Sequence, residues 1–117
     1  SRGLGDVYKR QPYNIVKTGD NTFEIQVAVA GFTQGELDVN FHDGQLTVSG
    51  EKKNLPNPDH VYQHQGISAR KFVRTWPLVD YMEVVDAVAK DGILTVSLEQ
   101  RLPEAMKPKS IAITYKA

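Results

Sequence analysis

The feature that most constrains this chain is an alternating apolar pattern that the pair Asp91-Gly92 interrupts once. Apolar residues occupy every second position from Leu94 to Leu98, which is the period of a β-strand with one apolar face. Asp and Gly tolerate the positive φ angles that a two-residue hairpin turn requires. The pattern therefore predicts two strands joined by a tight turn over residues 87–98. Because an isolated hairpin is not stable in water, other strands must cover its apolar face.

The rest of the chain repeats this alternation in short runs. Residues 23–29 alternate strictly, residues 37–49 contain a second Asp-Gly turn at Asp43-Gly44, and residues 71–76 are rich in β-forming side chains. Turn-forming residues separate the runs at intervals of about 8–12 residues, and no amphipathic helical pattern is present. We therefore predict an all-β fold, an antiparallel immunoglobulin-like β-sandwich.

The chain divides into three segments at the sequence level. Residues 1–11 lack periodicity and are predicted to be a disordered arm or a sequence artefact. Residues 12–100 form the sandwich. Residues 101–117 form a flexible C-terminal tail, because their prolines disfavour a helix interior or a central strand. Ile111 and Ile113 lie in this tail at strand spacing, and they either add to a sheet edge elsewhere or form a last strand of their own domain.

Composition disfavours several classes of function. Lys plus Arg and Asp plus Glu each total 14, so the chain lacks the basic excess typical of nucleic-acid binding. It contains no Cys, no glycine-rich phosphate loop and no nucleophile elbow, and its carboxylates are dispersed. We predict a protein that is not an enzyme and needs no cofactor. His60 and His64 lie among loop-forming residues, so no metal site is expected.

The sequence also indicates where the protein resides. No apolar run reaches the roughly 18–20 residues of a membrane span, and no signal-peptide pattern opens the chain. The absence of Cys fits a reducing compartment. We predict a cytoplasmic protein without a membrane span.

A long connection over residues 50–68 separates the strand runs and is rich in loop-forming residues. Connections of this length are uncommon in compact domains and are often functional. Within it, Val61, Tyr62 and Gln63 are predicted to form a short strand whose partner lies outside the domain.

Two arginines share one side of the strand that follows this loop. Arg70 and Arg74 alternate with large aromatic residues, so both guanidinium groups lie beside rings. They either stack at the rim of the core or pair with carboxylates across a subunit interface, where Arg is enriched.

These residues carry a family pattern. Ala87, Gly92 and Leu94 in the run AVAKDGIL, followed by LTVSLE, resemble the signature hairpin of the α-crystallin domain of small heat shock proteins. Residues 62–70 and 103–108 resemble more narrowly the bacterial inclusion-body-binding branch. The run Phe72-Val73-Arg74, the V-A-G-F run at 29–32 and the isoleucine tail also match.

The resemblance implies an ATP-independent holdase that keeps unfolding client proteins soluble until ATP-driven chaperones refold them. It implies a homodimer in which the loop strand, Val61 to Gln63, pairs with the neighbouring sandwich and Arg74 supports the interface, with Arg70 as a further candidate. It also implies higher oligomers, formed with copies of itself or together with a paralogous family member.

In the family the tail isoleucines dock between edge strands of another subunit, so Ile111 and Ile113 are the expected tail motif. The groove expected to receive them is lined by Leu37, Val39, Phe41, Val84 and Val88.

Two other classes of sandwich protein remain as alternatives. A p23-like or CS-type adaptor module shares the architecture, but it explains neither the isoleucine tail nor the loop strand. An extracellular carbohydrate-binding sandwich needs an exposed aromatic platform, whereas Trp76 lies in an apolar strand.

Overall fold

A computed structural model describes residues 11–52, 57–66 and 70–117. Seven strands follow one another in this part of the chain, with a short 3₁₀ helix before the third strand (Gln34–Glu36) and another after the last (Glu104–Met106). The strands are β1 (Tyr13–Lys17), β2 (Thr22–Ala28), β3 (Leu37–His42), β4 (Gln45–Lys52), β5 (Arg70–Pro77), β6 (Met82–Lys90) and β7 (Ile93–Gln100).

The strands form two antiparallel sheets, which confirms the predicted all-β sandwich. One sheet has the order β1-β2-β7-β6 and the other has the order β3-β4-β5. Alternate side chains of both sheets point inward, because successive residues of a strand face opposite sides. The buried core draws on both sheets and consists of Ile25, Val27, Val29, Leu46, Val48, Phe72, Trp76, Leu94, Val96 and Leu98.

Both Asp-Gly pairs form the predicted hairpin turns. Asp43 and Gly44 have φ angles of 50° and 72°, and Asp91 and Gly92 have φ angles of 53° and 79°. Two successive positive φ angles are the mark of a type I′ turn, whose twist matches that of the flanking strands. The second turn joins β6 to β7 and holds Leu94 in the core, where only 4% of its surface is exposed.

The described residues reach the predicted boundary between the N-terminal arm and the sandwich at Gln11. Residues 1–10 lie outside the described residues, and so do residues 53–56 and 67–69 of the long loop. Gln11, assigned to the arm on sequence grounds, is buried and its side-chain amide donates a hydrogen bond to the carbonyl of Ala28. Gln11 therefore packs with the sandwich, one residue before the predicted start of the domain.

Candidate functional site

The sandwich has two open sides, because each sheet ends in two edge strands. On one side β1 faces β5, and the rings of Tyr13 and Trp76 meet there edge to face with centroids 5.2 Å apart. On the other side β3 faces β6, and a cavity separates them. Edge strands can accept further strands by backbone hydrogen bonding. Both sides are therefore candidate assembly surfaces.

Arg74 links the two sheets on the β1–β5 side. Its guanidinium carbon lies 4.7 Å from the centre of the Tyr13 ring, a cation–π distance. Its Nε and Nη2 atoms donate hydrogen bonds of 3.2 and 3.1 Å to the carbonyl oxygen of Gln11. The half-buried Arg74 thus fixes the start of β1 against β5.

Arg70 makes similar contacts near the other end of β5. Its guanidinium carbon lies 4.8 Å from the centre of the Phe32 ring, and its Nη1 atom donates a 3.0 Å hydrogen bond to the carbonyl of Ala30. Within one chain, both predicted interface arginines stack on aromatic rings at the rim of the core. Whether they also contact a second subunit stays a prediction.

The described part of the long loop exposes apolar side chains. Val61 keeps 88% of its surface exposed and Tyr62 keeps 45%, and neither they nor Gln63 lie in a strand within this single chain. The Asn57 amide N–H donates a 3.4 Å hydrogen bond to the Tyr62 hydroxyl oxygen. The Asn57 side-chain oxygen in turn accepts a 2.9 Å hydrogen bond from the Asp59 N–H. These bonds link residues 57 to 62 of the loop, in which Val61 and Tyr62 are exposed to solvent.

A cavity of about 580 Å³ opens between β3 and β6, the strands that carry the residues predicted for the tail groove. Three of the five residues predicted for the groove line it, whereas Phe41 and Val84 do not. The predicted residues that line it are Leu37, Val39 and Val88; Phe32, Gln34, Ala87, Ala89 and Leu94 complete it.

A β-bulge explains why Val84 and Val88 separate although they lie four residues apart. The register of β6 against β7 shifts between Val84 and Asp86, so Val84 lies opposite the buried Leu98 and Val88 lies opposite Thr95. Val84 therefore packs against the core, while Val88 remains 51% exposed at the groove. Phe41 lies opposite Leu46, close to the Asp43-Gly44 turn.

Two alanines in the groove were not singled out as groove residues by the sequence analysis. Ala87 and Ala89 stand at alternate positions of β6 and lie opposite Val96 and Leu94, so their small side chains leave space above the core. Small residues at alternate positions of an edge strand are the sequence signal that could have identified this space.

The two isoleucines of the C-terminal tail are largely exposed in the single chain. Ile111 and Ile113 expose 82% and 80% of their surfaces, and neither lies in a strand. As it stands in the described residues, the tail is not a last strand of its own domain.

The described residues offer little support for a metal site, a membrane-spanning helix or a carbohydrate-binding platform. Among the described residues, no group of three or more His, Cys, Asp or Glu side chains is placed to hold a metal ion. That same part of the chain has no helix long and apolar enough to cross a membrane. Trp76 is buried, so it does not form the exposed platform that a carbohydrate-binding sandwich needs.

Comparison with known proteins agrees with this geometry. The sequence pattern of the Hsp20/alpha crystallin family matches residues 15–114. Small heat shock protein HspE of Bradyrhizobium diazoefficiens is 39% identical over 109 residues, which cover 93% of this chain and 70% of HspE. Small heat shock protein IbpB of Serratia proteamaculans is 41% identical over 103 residues, which cover 87% of this chain and 71% of IbpB.

Solved structures show the same fold. A small heat shock protein from Synechococcus phage S-ShM2 superimposes with a TM-score of 0.67 at 30% identity, covering 89% of this chain and 99% of that one. The small heat shock protein AgsA from Salmonella typhimurium gives a TM-score of 0.67 at 28% identity, covering 88% and 98%. This chain belongs to the Hsp20/alpha-crystallin family of small heat shock proteins.

Proposed function

We propose that this small heat shock protein is an ATP-independent holdase, which binds unfolding proteins and prevents their irreversible aggregation. The observation that carries the proposal is that the chain exposes apolar segments and also offers two open sandwich sides to receive such segments. Ile111 and Ile113 are exposed while the β3–β6 groove is open, and Val61 and Tyr62 are exposed while the edge of β1 has no further strand within the described chain.

Reversible assembly follows from the size of the apolar surfaces. Burying one isoleucine side chain fully contributes about 1.5–3 kcal/mol before the cost of ordering the tail is subtracted. Two isoleucines therefore hold a neighbouring subunit firmly enough to assemble and weakly enough to be released. A client with exposed apolar segments competes for the same surfaces, and heating shifts the assembly equilibrium.

The proposed assembly begins with a homodimer. The loop strand, Val61 to Gln63, pairs with the β1 edge of a second copy, and Arg74 lies close to that edge. The tails then connect dimers into larger oligomers, either of this chain alone or with a paralogous small heat shock protein. ATP-driven chaperones receive the held clients. The family assignment favours this function over that of a p23-type adaptor.

Light scattering of a heat-labile client in the absence of ATP tests the proposal. The wild-type chain at an equimolar ratio should suppress most of the scattering. The variant Ile111→Ala/Ile113→Ala should form smaller oligomers and should change the degree of suppression. A matched control, Ser110→Ala/Thr114→Ala, alters the flanking tail positions and should behave as wild type. Scattering that is unaffected by the wild-type chain at equimolar and at excess ratios would refute holdase activity.

A further inference from the structure

The root of the C-terminal tail is tied to the sandwich by a set of ionic and backbone contacts. Arg101 follows the last residue of β7, and its Nε and Nη2 atoms each lie 2.9 Å from Oε1 of Glu99. Its Nη1 atom lies 3.2 Å from Oε1 of Glu83 on the neighbouring strand β6. One guanidinium group thus bridges carboxylates from the end of β7 and the start of β6.

Backbone contacts fix the same junction. The Arg101 N–H donates a 2.9 Å hydrogen bond to the carbonyl of Tyr81, which extends the β6–β7 ladder one step beyond the Met82–Gln100 pair. Gln100 donates from its side chain to the carbonyl of Asp80 at 3.1 Å. Tyr81 itself has a φ angle of 68°, so the preceding turn has a specific backbone shape that these bonds hold.

The contacts of Arg101 with Glu83, Glu99 and Tyr81, here called the clamp, set the direction in which the tail leaves. Because Arg101 continues the line of β7, the tail departs past the start of β6 rather than turning back along that strand. Pro103 and Lys107 then adopt extended backbone with ψ angles of 149° and 147°. Glu104, the first residue of the second 3₁₀ helix, forms a 2.9 Å ion pair with Lys107, which follows the helix.

Length alone would let the tail reach the groove of its own subunit. Val88 lies five residues along β6 from Glu83, a distance of about 16 Å at the rise of a strand. Ile111 lies ten positions after Arg101, and extended chain of that length spans up to about 35 Å. Docking in the same subunit requires the chain to reverse between Arg101 and Ile111, against the direction in which the Arg101 contacts start the tail.

We propose that Arg101, bridging Glu83 and Glu99, is a positioning residue that directs Ile111 and Ile113 away from their own groove and into that of another subunit. This inference rests on the proposed docking of the tail in the β3–β6 groove. The clamp makes tail exchange between subunits the favoured arrangement, so it sustains oligomers instead of self-occupied monomers.

Disulfide trapping separates the two arrangements, and the native chain has no Cys to interfere. Ala89→Cys in the groove and Ala112→Cys between the isoleucines are introduced together, and the protein is oxidised at low concentration. Non-reducing electrophoresis then distinguishes intramolecular from intermolecular bonds. The otherwise wild-type chain should form mainly intermolecular bonds.

Adding Arg101→Ala should raise the intramolecular fraction about two- to fivefold, the range that an exposed ion-pair network can supply. Arg101→Lys keeps the charge but loses the two-carboxylate bridge, so its fraction should be intermediate. The charge exchange Glu83→Arg/Arg101→Glu should restore part of the wild-type ratio. High salt should shift the wild-type ratio towards that of Arg101→Ala and leave the variant itself unchanged.

Three outcomes would overturn the inference. The wild-type ratio and the Arg101→Ala ratio could be equal, or the charge exchange could fail to restore any of the lost preference. A complete lack of disulfides in either arrangement would refute tail docking in this groove as well, and would thereby contradict the proposed assembly. Holdase activity measured with the same variants shows whether chaperone function fails separately.

Discussion

The guanidinium group of Arg74 lies over the ring of Tyr13 at 4.7 Å and also holds the backbone of the residue two positions before that ring. A single β5 side chain thereby fixes the edge strand of the opposite sheet. The edge of β1 is the surface on which we expect a second subunit to add its loop strand. In the proposed dimer, Arg74 would therefore shape the assembly surface as well as stabilise the fold.

Replacing Arg74 should destabilise the domain and loosen this edge. Arg74→Ala removes two hydrogen bonds from a charged donor and a cation–π contact, so the free energy of unfolding should fall by about 1–3 kcal/mol. Arg74→Lys keeps the charge with a smaller loss. Urea unfolding of both variants in an Ile111→Ala/Ile113→Ala background measures the effect without large oligomers, and wild-type stability in both variants would contradict it.

Gly50 is required by close packing under the groove. A Cβ atom built on Gly50 would lie 2.5 Å from Cε2 of Phe72, 3.0 Å from Cε1 of Phe32 and 3.1 Å from Cδ2 of Leu37. Overpacking of this kind costs about 1–3 kcal/mol, so Gly50→Ala should lower the midpoint of urea unfolding.

Gly35 provides a matched control, because a Cβ atom at that position would meet no atom within 4 Å. Gly35→Ala should have little effect on the unfolding midpoint. Since Phe32 and Leu37 line the groove, Gly50→Ala should also reduce the average oligomer mass in light scattering. Equal unfolding midpoints for the two variants would show that the side chains around Gly50 move to accommodate the added Cβ atom without loss of stability.

How much the sequence alone could predict depends on the range of the interactions. The period-two alternation and the two Asp-Gly pairs are local signals, and they predicted the strands, both hairpins and the buried face of β7 correctly. The bulge next to Val85 leaves no such signal, because it is defined by pairing with β7. Residue spacing therefore placed Val84 and Val88 together, although they face different surroundings.

Contacts between distant segments were also beyond the sequence. Gln11 looked like part of an unstructured arm, yet Arg74 and Ala28 hold it from 63 and 17 residues away. The Arg101 bridge depends on Glu83, which lies on another strand. A strand at Val61 to Gln63 needs a partner from another subunit, so the single chain does not form it and it stays a prediction.

Glu36 should make the short 3₁₀ helix before β3 sensitive to acid. Its Oε1 atom accepts a 2.8 Å hydrogen bond from the Thr33 N–H, and Lys52 Nζ lies 3.8 Å away. The Thr33 bond first, and then Lys52, hold the pKa of Glu36 below its ordinary value. The lowered pKa means that the ionised carboxylate stabilises the fold above the unfolded-state pKa of about 4.3, and that this contribution is lost as the pH falls through the folded-state value.

Thermal unfolding at a series of pH values between neutral and strongly acidic checks this expectation. Glu36→Gln can keep the hydrogen bond from the Thr33 N–H but does not titrate. The stability difference between wild type and variant should therefore shrink or reverse on acidification. Asp38→Asn, an exposed neighbour two residues away, controls for the general loss of negative charge. A difference between wild type and Glu36→Gln that stays constant with pH would contradict the assignment.

Tyr62 is the residue whose replacement should most directly weaken the proposed dimer. It is the larger of the two exposed apolar side chains at the loop tip, and its hydroxyl is held by the Asn57 N–H. Buried tyrosines at interfaces often contribute about 2 kcal/mol or more, so Tyr62→Ala should raise the dimer dissociation constant by about thirtyfold or more. Sedimentation velocity over a concentration series measures that constant.

The comparison needs a background in which only dimers form, so the Tyr62 variant is best made with Ile111→Ala/Ile113→Ala. Tyr115→Ala in the same background is the matched control, since Tyr115 is 93% exposed and lies in the tail beyond both isoleucines. If both tyrosine variants dimerise as the background does, the loop does not form the interface and the β1 edge must bind something other than the loop of a second copy. If Tyr62→Ala alone dissociates, the exposed loop and the edge shaped by Arg74 belong to one interface.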